Sequence, residues 1–311
     1  MSKNYLPRFQ PAFLAPKYWG FWLGLGLFWL ILCLPYPVLC KIGQGLGKLF
    51  SKLSIGKKRT KIIRRNLELC FPHYSEEKRE QILQDNLHSI GMAIIETGMA
   101  WFWSDKRILK WSKTEGIEHL KDNAKDGIIL VGVHFLTLEL GARIVGLHSP
   151  GIGVYRPNNN PLMDWLQTWG RLRSNKTMID RKDLRSMIKA LRQGEIIWYA
   201  PDHDYGRQSG VFVPFFAVQD AATTTGSYYL LKSSSNSKVI PFSPLRNGDG
   251  SGYTVTISPP VDFNDLDDET SIATRMNQVV EKEIMKGVAQ YMWLHRRFKT
   301  EKDGDDGKKY R

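Results

Sequence analysis

From residue 127 onward, short apolar segments typical of strands alternate with longer segments of helical periodicity. Strands separated by helices form βαβ units, and their crossovers return each strand parallel to the one before. The sequence therefore predicts an α/β sandwich with a mixed, largely parallel sheet and antiparallel strands near the end. The predicted strands are 127–133, 152–155, 176–179, 195–200, 238–242 and 253–257, and the predicted helices are 75–103, 136–147, 161–173, 183–193, 221–235 and 269–287.

The stretch from Tyr18 to Cys40 contains no charged side chain. As one helix rising about 1.5 Å per residue it would measure roughly 35 Å, close to the hydrocarbon thickness of a bilayer. Pro35 and Pro37 leave a shorter helix open, so a tilted span, a half-buried anchor and a re-entrant segment are all compatible with the pattern. We expect an N-terminal membrane helix within an anchor comprising residues 1–45.

Basic residues are concentrated in the same region. The formal net charge is +13, and residues 1–67 carry twelve Lys and Arg side chains and no acidic one, which leaves +1 for the rest of the chain. The near-neutral body argues against a nucleic-acid-binding protein. Nine of these basic residues follow the apolar run, so the positive-inside rule places the catalytic body on the cytoplasmic side of the inner membrane. Anionic membrane lipids are therefore expected partners.

The remainder is expected to form one catalytic domain, residues 46–298, followed by a charged and frayed tail, residues 299–311. The three cysteines lie in or near the anchor without a CxxC motif or a histidine at metal-ligand spacing, which indicates a reduced compartment without a structural disulfide or zinc site. The glycine-rich run 43–48 lacks the complete phosphate-loop pattern and no strand precedes it, so it is not a nucleotide-binding signal.

The strongest chemical signal is an apolar strand that ends at His134, with Glu139 five positions later. Five residues along one helix place side chains about 140° apart, so the two can meet only if His134 precedes the helix and Glu139 lies in its first or second turn. Glu139 then orients one ring nitrogen while the other faces the pocket, which is the arrangement of a general base. Spacing alone also fits a core histidine and a solvent-facing glutamate.

Two further segments carry polar groups at expected strand ends. The run 171–182 includes Arg171, Arg173, Lys176 and Arg181, whose charges suit phosphate or carboxylate, although a solvated basic face is the alternative. Asp202 belongs to an Asp-His-Asp tripeptide after the strand 195–200. That tripeptide suggests a metal site, but no other ligand set is evident, so no metal is expected.

Nearly the whole chain resembles one known family, the bacterial lipid A late acyltransferases, within the wider group that includes the glycerol-3-phosphate acyltransferases. The resemblance runs through RRNLELCFP (64–72), GMAIIETGMAWFW (91–103), ILVGVHFLTLELGAR (129–143), GIGVYRPNNNPLMDWLQTWGRLRSNKTMIDRKDLRSMIKAL (151–191), WYAPDHDYG (198–206), FVPFF (212–216), AATTTG (221–226) and QYMWLHRRFKT (290–300). It implies a glycerol-3-phosphate-acyltransferase-like α/β sandwich. Within the family, the chain most resembles members that transfer lauroyl, with palmitoleoyl-transferring members second.

The resemblance implies that His134 and Glu139 fill the family's H-x4-D/E catalytic pair. Arg181 is then expected to bind acceptor phosphate or position the substrate, and Asp202 to support catalysis or structure. Arg171, Arg173 and Lys176 are weaker candidates for contacts with phosphate or carrier protein. The group often has glutamate in the motif where this chain has Asp202, which leaves the role of this residue open.

The implied reaction uses no cofactor. It transfers a fatty acyl group, lauroyl by resemblance, from an acyl carrier protein thioester to a 3-hydroxyacyl hydroxyl of Kdo(2)-lipid IV(A), in lipopolysaccharide or lipooligosaccharide synthesis. Backbone N–H groups or Arg181 could stabilise the oxyanion. Thioester hydrolysis and transfer to a glycerolipid acceptor would use the same histidine and glutamate and are the alternative enzymatic functions. A non-enzymatic membrane-binding role is the third alternative.

Overall fold

The computed structural model of the protein describes residues 6–234 and 236–311. Its helices are α1 (Trp19–Leu32), α2 (Tyr36–Lys52), α3 (Ser54–Cys70), α4 (Glu76–Phe102), α5 (Asp105–Lys110), α6 (Glu118–Asp122), α7 (Leu138–His148), α8 (Pro161–Arg171), α9 (Leu184–Arg192), α10 (Gly226–Ser233) and α11 (Glu269–Met285). Its strands are β1 (Ser112–Glu115), β2 (Ile128–Gly132), β3 (Gly151–Tyr155), β4 (Asn175–Asp180), β5 (Ile196–Tyr199), β6 (Gly210–Phe215), β7 (Val218–Thr224), β8 (Lys238–Arg246) and β9 (Tyr253–Ile257).

Seven strands form one sheet in the order β1-β9-β8-β2-β5-β3-β4. Every neighbouring pair is parallel except β8 and β9, which are antiparallel. The predicted α/β class with a mixed, mostly parallel sheet is confirmed. The parallel arrangement brings the carboxyl ends of β2, β3, β4 and β5 to one edge of the sheet, where α/β folds commonly build their sites.

The central strand β2 is buried on both faces. Ile129 and Val131 face a core that includes residues of α9, α10 and α11. Ile128 and Leu130 face a second core that includes residues of α1, α2 and α7. Successive strand residues point to opposite faces of the sheet. The two cores therefore lie on opposite faces, each between the sheet and one of the two helical layers of the sandwich.

The predicted strands and helices from residue 75 onward correspond closely to observed elements. The differences lie where contacts between distant segments determine the secondary structure. β1 and the antiparallel hairpin of β6 and β7 are absent from the predicted set. The predicted helix 221–235 begins only at Gly226, because residues 221–224 pair in β7. Its predicted last residue, Ser235, lies outside the described residues.

The apolar N-terminal run does not form one long helix. α1 has 14 residues, about 21 Å at 1.5 Å per residue, and the chain turns at residues 33–35 before α2 begins. Within residues 6–234 and 236–311, no helix has both the length and the apolar character needed to cross a bilayer. The predicted N-terminal membrane helix is therefore unsupported. Residues 1–5 of the predicted anchor lie outside the described part of the chain.

Glycines allow α2 and α4 to pack closely. A Cβ atom on Gly47 would lie 2.2 Å from the Leu87 carbonyl oxygen, and one on Gly91 would lie 2.0 Å from that of Gly43. Real side-chain atoms cannot approach backbone atoms so closely. The two helices can therefore keep this separation only if both positions are glycine. The glycine-rich run 43–48 therefore serves helix packing.

The charged C-terminal tail is docked against the body rather than frayed, contrary to expectation. The Thr300 amide donates to Asp204 at 2.7 Å, and the Tyr310 hydroxyl donates to the Asn66 side-chain oxygen at 2.5 Å. Thr300 is buried. Buried hydrogen bonds of this kind hold a terminus that its composition alone would leave free.

Candidate active site

The loop after β2 carries His134 at the carboxyl edge of the sheet. Its backbone is fixed by the C-terminal segment, because the Met292 amide donates to the His134 carbonyl at 3.0 Å and the Leu136 amide donates to the Gln290 carbonyl at 2.8 Å. Helix α7 starts only at Leu138, with Glu139 as its second residue. The prediction that His134 precedes the helix and that Glu139 lies in its first or second turn is confirmed.

Asp202, in the loop after β5, is the carboxylate that holds His134. Its Oδ1 lies 2.7 Å from His134 Nδ1, and its Oδ2 accepts from the His134 backbone N–H at 3.1 Å. The Asp202 side chain is 0% exposed, whereas that of His134 is 20% exposed. With Nδ1 facing Asp202, the histidine has Nε2 available for a substrate.

The electrostatics of this pair favour an ionised aspartate. Burial opposes the charged form of Asp202, but the charge of His134 and its two hydrogen bonds outweigh it and hold the pKa of Asp202 well below its usual range. A buried carboxylate that stays ionised stabilises an imidazolium beside it. His134 can therefore accept a proton with its counter-charge already in place.

Two more histidines stack behind His134. The His203 ring lies 3.6 Å from the His134 ring, centroid to centroid, and 4.2 Å from the His295 ring, in nearly parallel planes. Burial, followed by the charge of His134, lowers the pKa of His203 to about 3. The same two causes lower the pKa of His295. At neutral pH the stack therefore presents neutral rings to His134.

The cluster of His134, Asp202 and His203 could in principle hold a metal ion, since their ligand atoms lie within 4.8 Å of one another. The stacked rings tilt only 11° from parallel, so their nitrogen lone pairs do not converge on one point. Asp204, the other acid of the tripeptide, accepts hydrogen bonds from the backbone amide and the hydroxyl of Thr300. These contacts describe an oriented histidine better than a metal centre.

Glu139 does not contact His134, contrary to the expectation that it orients the ring. Glu139 instead binds Arg171, whose Nε lies 3.0 and 3.2 Å from its two oxygens and whose Nη2 is also in contact. Trp101 Nε1 lies 3.4 Å from Glu139 Oε2. The physical reason is that α8 brings the Arg171 guanidinium to the carboxylate, while the loop after β5 presents Asp202 to the ring. Burial opposes ionisation of Glu139, but the charge and hydrogen bonds of Arg171 lower its pKa.

The other basic candidates occupy different places. Arg181 is exposed beside the site, and its guanidinium carbon lies 5.4 Å from the centre of the Tyr205 ring. Arg173 donates to the Trp101 and Trp103 carbonyls near the end of α4, which is a helix-capping contact. Lys176 pairs with Glu195 at 2.6 Å, at the amino ends of β4 and β5. The structure therefore brings Asp202 to His134, leaves Arg181 at the site edge, and does not bring Lys176 into the site.

The local sequence does not predict the roles of four residues near the site, namely Trp101, His203, Tyr205 and His295, although His203 and Tyr205 belong to the polar run 198–206. The Asp-His-Asp tripeptide was a signal for His203, but it suggested a metal ligand rather than a stacked ring. Trp101, Tyr205 and His295 lie far from His134 in sequence. Only the tertiary fold brings Trp101 to Glu139, Tyr205 to Arg181 and His295 to His203.

A partly exposed histidine oriented by a buried ionised carboxylate is the constellation of an enzyme that activates a hydroxyl by general-base catalysis. Residues 6–300 match the sequence profile of the bacterial lipid A biosynthesis acyltransferases. The chain belongs to this family, and it is an acyltransferase of lipid A biosynthesis.

Individual relatives cover almost the whole chain. A Haemophilus influenzae protein named lipid A biosynthesis acyltransferase is 74% identical over 97% of this chain and 97% of its own length. The Escherichia coli lipid A biosynthesis lauroyltransferase is 58% identical over 96% of this chain and 97% of its own. The Escherichia coli lipid A biosynthesis palmitoleoyltransferase is 48% identical over the same shares.

Proposed function

We propose that this acyltransferase moves a lauroyl group from an acyl carrier protein thioester to a 3-hydroxyacyl hydroxyl of Kdo(2)-lipid IV(A), in lipopolysaccharide or lipooligosaccharide synthesis. The observation that carries the proposal is the 2.7 Å contact between His134 Nδ1 and the buried Asp202. The choice of lauroyl is supported by 58% identity to the lauroyltransferase against 48% to the palmitoleoyltransferase.

In the proposed mechanism, His134 Nε2 removes the proton from the acceptor hydroxyl as its oxygen attacks the thioester carbonyl carbon. The tetrahedral intermediate then expels the carrier thiolate, which takes the proton back from His134. The new ester bond replaces the thioester bond, and no co-reactant is needed. General-base assistance of this kind contributes about 10²- to 10⁴-fold to the rate.

Arginines supply the proposed anion contacts. Arg181 is exposed at the site edge, where it can contact an acceptor phosphate or the developing oxyanion. Arg171 is held by Glu139. We propose that Glu139 contributes to catalysis by holding Arg171 in place for an acceptor phosphate. Arg173 and Lys176 have intramolecular partners, which favours structural roles for both.

We further propose that the protein works at the cytoplasmic face of the inner membrane, with α1 inserted shallowly among the lipids. Exposed apolar side chains on α1 and basic side chains on α2 support this, since such surfaces bind anionic interfaces. They include Trp19, Leu23, Leu27, Trp29, Leu30, Lys41, Lys48 and Lys52. Co-sedimentation with anionic vesicles should fall sharply in a Leu23→Glu, Leu27→Glu variant, and equal sedimentation would contradict it.

The activity test uses purified protein, Kdo(2)-lipid IV(A) and carrier proteins loaded with lauroyl, myristoyl or palmitoleoyl. Lauroyl should be transferred fastest, and His134→Ala should reduce transfer by about 10²- to 10⁴-fold. His148→Ala is the matched control, because His148 is exposed at the far end of α7.

Two outcomes would favour the alternatives. Release of free fatty acid at the same rate without the acceptor would indicate a thioesterase. Faster transfer to glycerol-3-phosphate or a lysophospholipid would indicate a glycerolipid acyltransferase.

A further inference from the structure

Helix α9 presents a basic groove on the molecular surface. The groove, about 500 Å³ in volume, has Leu184 and Ile188 among its lining together with Arg185, Lys189 and Arg192. The two apolar side chains are partly buried against the core, whereas the three cations are exposed. We call this surface, defined by these five residues, the α9 groove.

The three cations form one stripe. Their spacing of four and then three residues places them on one side of the helix, over a length of about 10 Å. Among residues 6–234 and 236–311, no carboxylate lines the groove and neither Arg185 nor Lys189 forms an ion pair. Arg192 donates to the Ser233 backbone carbonyl, at 2.8 Å. The stripe therefore keeps its positive charge for a partner.

The α9 groove adjoins the active site through the start of the helix. Asp183 caps α9, and Arg181, two residues earlier, stacks over Tyr205 in the loop that also carries Asp202. The first turn of α9 thus lies at the same sheet edge as His134, because β4 and β5 are both parallel members of that sheet. A flexible thioester arm from a protein bound on α9 would enter from this side.

The α9 groove and α1, the proposed membrane-binding helix, lie on different faces of the sheet. Met187 of α9 packs in the core that contains Ile129, whereas Leu32 of α1 packs in the core that contains Ile128. Adjacent strand residues face opposite sides of the sheet, so α1 and α9 lie on opposite faces. A partner on α9 is therefore one that approaches from the aqueous side.

We propose that the α9 groove docks the acyl carrier protein, with Arg185, Lys189 and Arg192 pairing with acidic side chains of an amphipathic carrier helix and Leu184 and Ile188 contacting its apolar residues. The inference rests on the proposed function for the identity of the donor. Charge complementarity supports it, because carrier proteins are acidic and a cationic rim around an apolar floor suits such a helix.

The test is the full-length Arg185→Glu, Lys189→Glu variant, with Lys282→Glu as control, since Lys282 is exposed on α11 and outside the groove. Transfer is measured with lauroyl carrier protein and with lauroyl-pantetheine, a small donor that has the arm without the protein. The KM for the carrier donor should rise at least 10-fold, with kcat within about 2-fold and the pantetheine donor unaffected. Added salt should raise the wild-type KM more than that of the variant.

Fluorescence anisotropy of labelled carrier protein separates this inference from the proposed function, because it measures docking without transfer. If the double variant binds the carrier protein more weakly while the Lys282→Glu control does not, the result supports docking on the α9 groove, even if another acceptor or acyl chain proves correct. Equal binding by wild type and double variant would overturn it. An equal loss with both donors, or a loss of anionic-vesicle binding with carrier binding unchanged, would also overturn it.

Discussion

Replacing Asp202 with asparagine removes one charge from the site with almost no change in shape. The carboxylate accepts from His134 twice, at the ring and at the backbone, whereas an amide has one oxygen and one NH₂ group. If the NH₂ group donates to Nδ1, the ring must carry its proton on Nε2. That tautomer cannot act as the base. An asparagine in the equivalent place of a serine-protease triad acts through the same tautomer change.

The magnitude follows from the loss of the counter-charge beside a protonated ring. Opposite unit charges about 4 Å apart attract by roughly 4 kcal/mol at an effective dielectric of about 20. Each 1.36 kcal/mol in the barrier is a factor of ten in rate. We therefore expect Asp202→Asn to lower kcat by about 10³-fold, with the KM for either substrate changed by less than about 3-fold.

The assay is lauroyl transfer to Kdo(2)-lipid IV(A), with kcat and KM measured for both substrates. Glu139→Gln is measured beside it, and because Glu139 binds Arg171 rather than His134, we expect its main effect to be a higher KM for the acceptor. Circular dichroism checks that both variants fold. If Asp202→Asn kept kcat within 5-fold of wild type while Glu139→Gln lost 10³-fold, the assignment of Asp202 as the orienting carboxylate would be wrong.

The remaining predictions concern stability. Gly47→Ala should destabilise the protein by about 3 kcal/mol, because its Cβ would meet the α4 backbone; Gly45→Ala, in open space on the same helix, should stabilise by about 0.5–1 kcal/mol, and equal effects in urea unfolding would contradict this packing. Arg246→Met should cost about 3–5 kcal/mol, since it leaves the fully buried Glu96 without its cation; a loss below about 1 kcal/mol by the same measurement would refute it. The folded-state pKa of His203 lies near 3, below its ordinary value. The contribution of the neutral His203 ring to the free energy of unfolding is therefore complete above about pH 6.5 and is lost as pH falls toward 3. His203→Phe should flatten the acid dependence of the melting temperature, and an unchanged dependence would count against the buried neutral ring.

Local sequence predicted most of the fold from residue 75 onward. The six predicted strands all exist, because runs of apolar and β-branched residues bounded by turn residues specify a buried strand within a few positions. β1 was missed because Ser112–Glu115 is short and polar, and it becomes a strand only by pairing with β9. The apolar run at 18–40 favoured a membrane helix, with a shorter helix left open by Pro35 and Pro37, and α1 ends at Leu32. Pro35, which directly precedes α2, marks the break.

The sequence by itself determined that a histidine would end a buried strand at the carboxyl edge of a parallel sheet, just before a helix. Strand pattern and helix periodicity depend on residues that are close to one another in the sequence. It did not determine which carboxylate His134 would meet, because Glu139 is five positions away whereas Asp202 is 68 positions away. Tertiary structure decided this by placing β5 beside β2, which presents Asp202 to the ring. It also placed α8 so that Arg171 neutralises the Glu139 carboxylate.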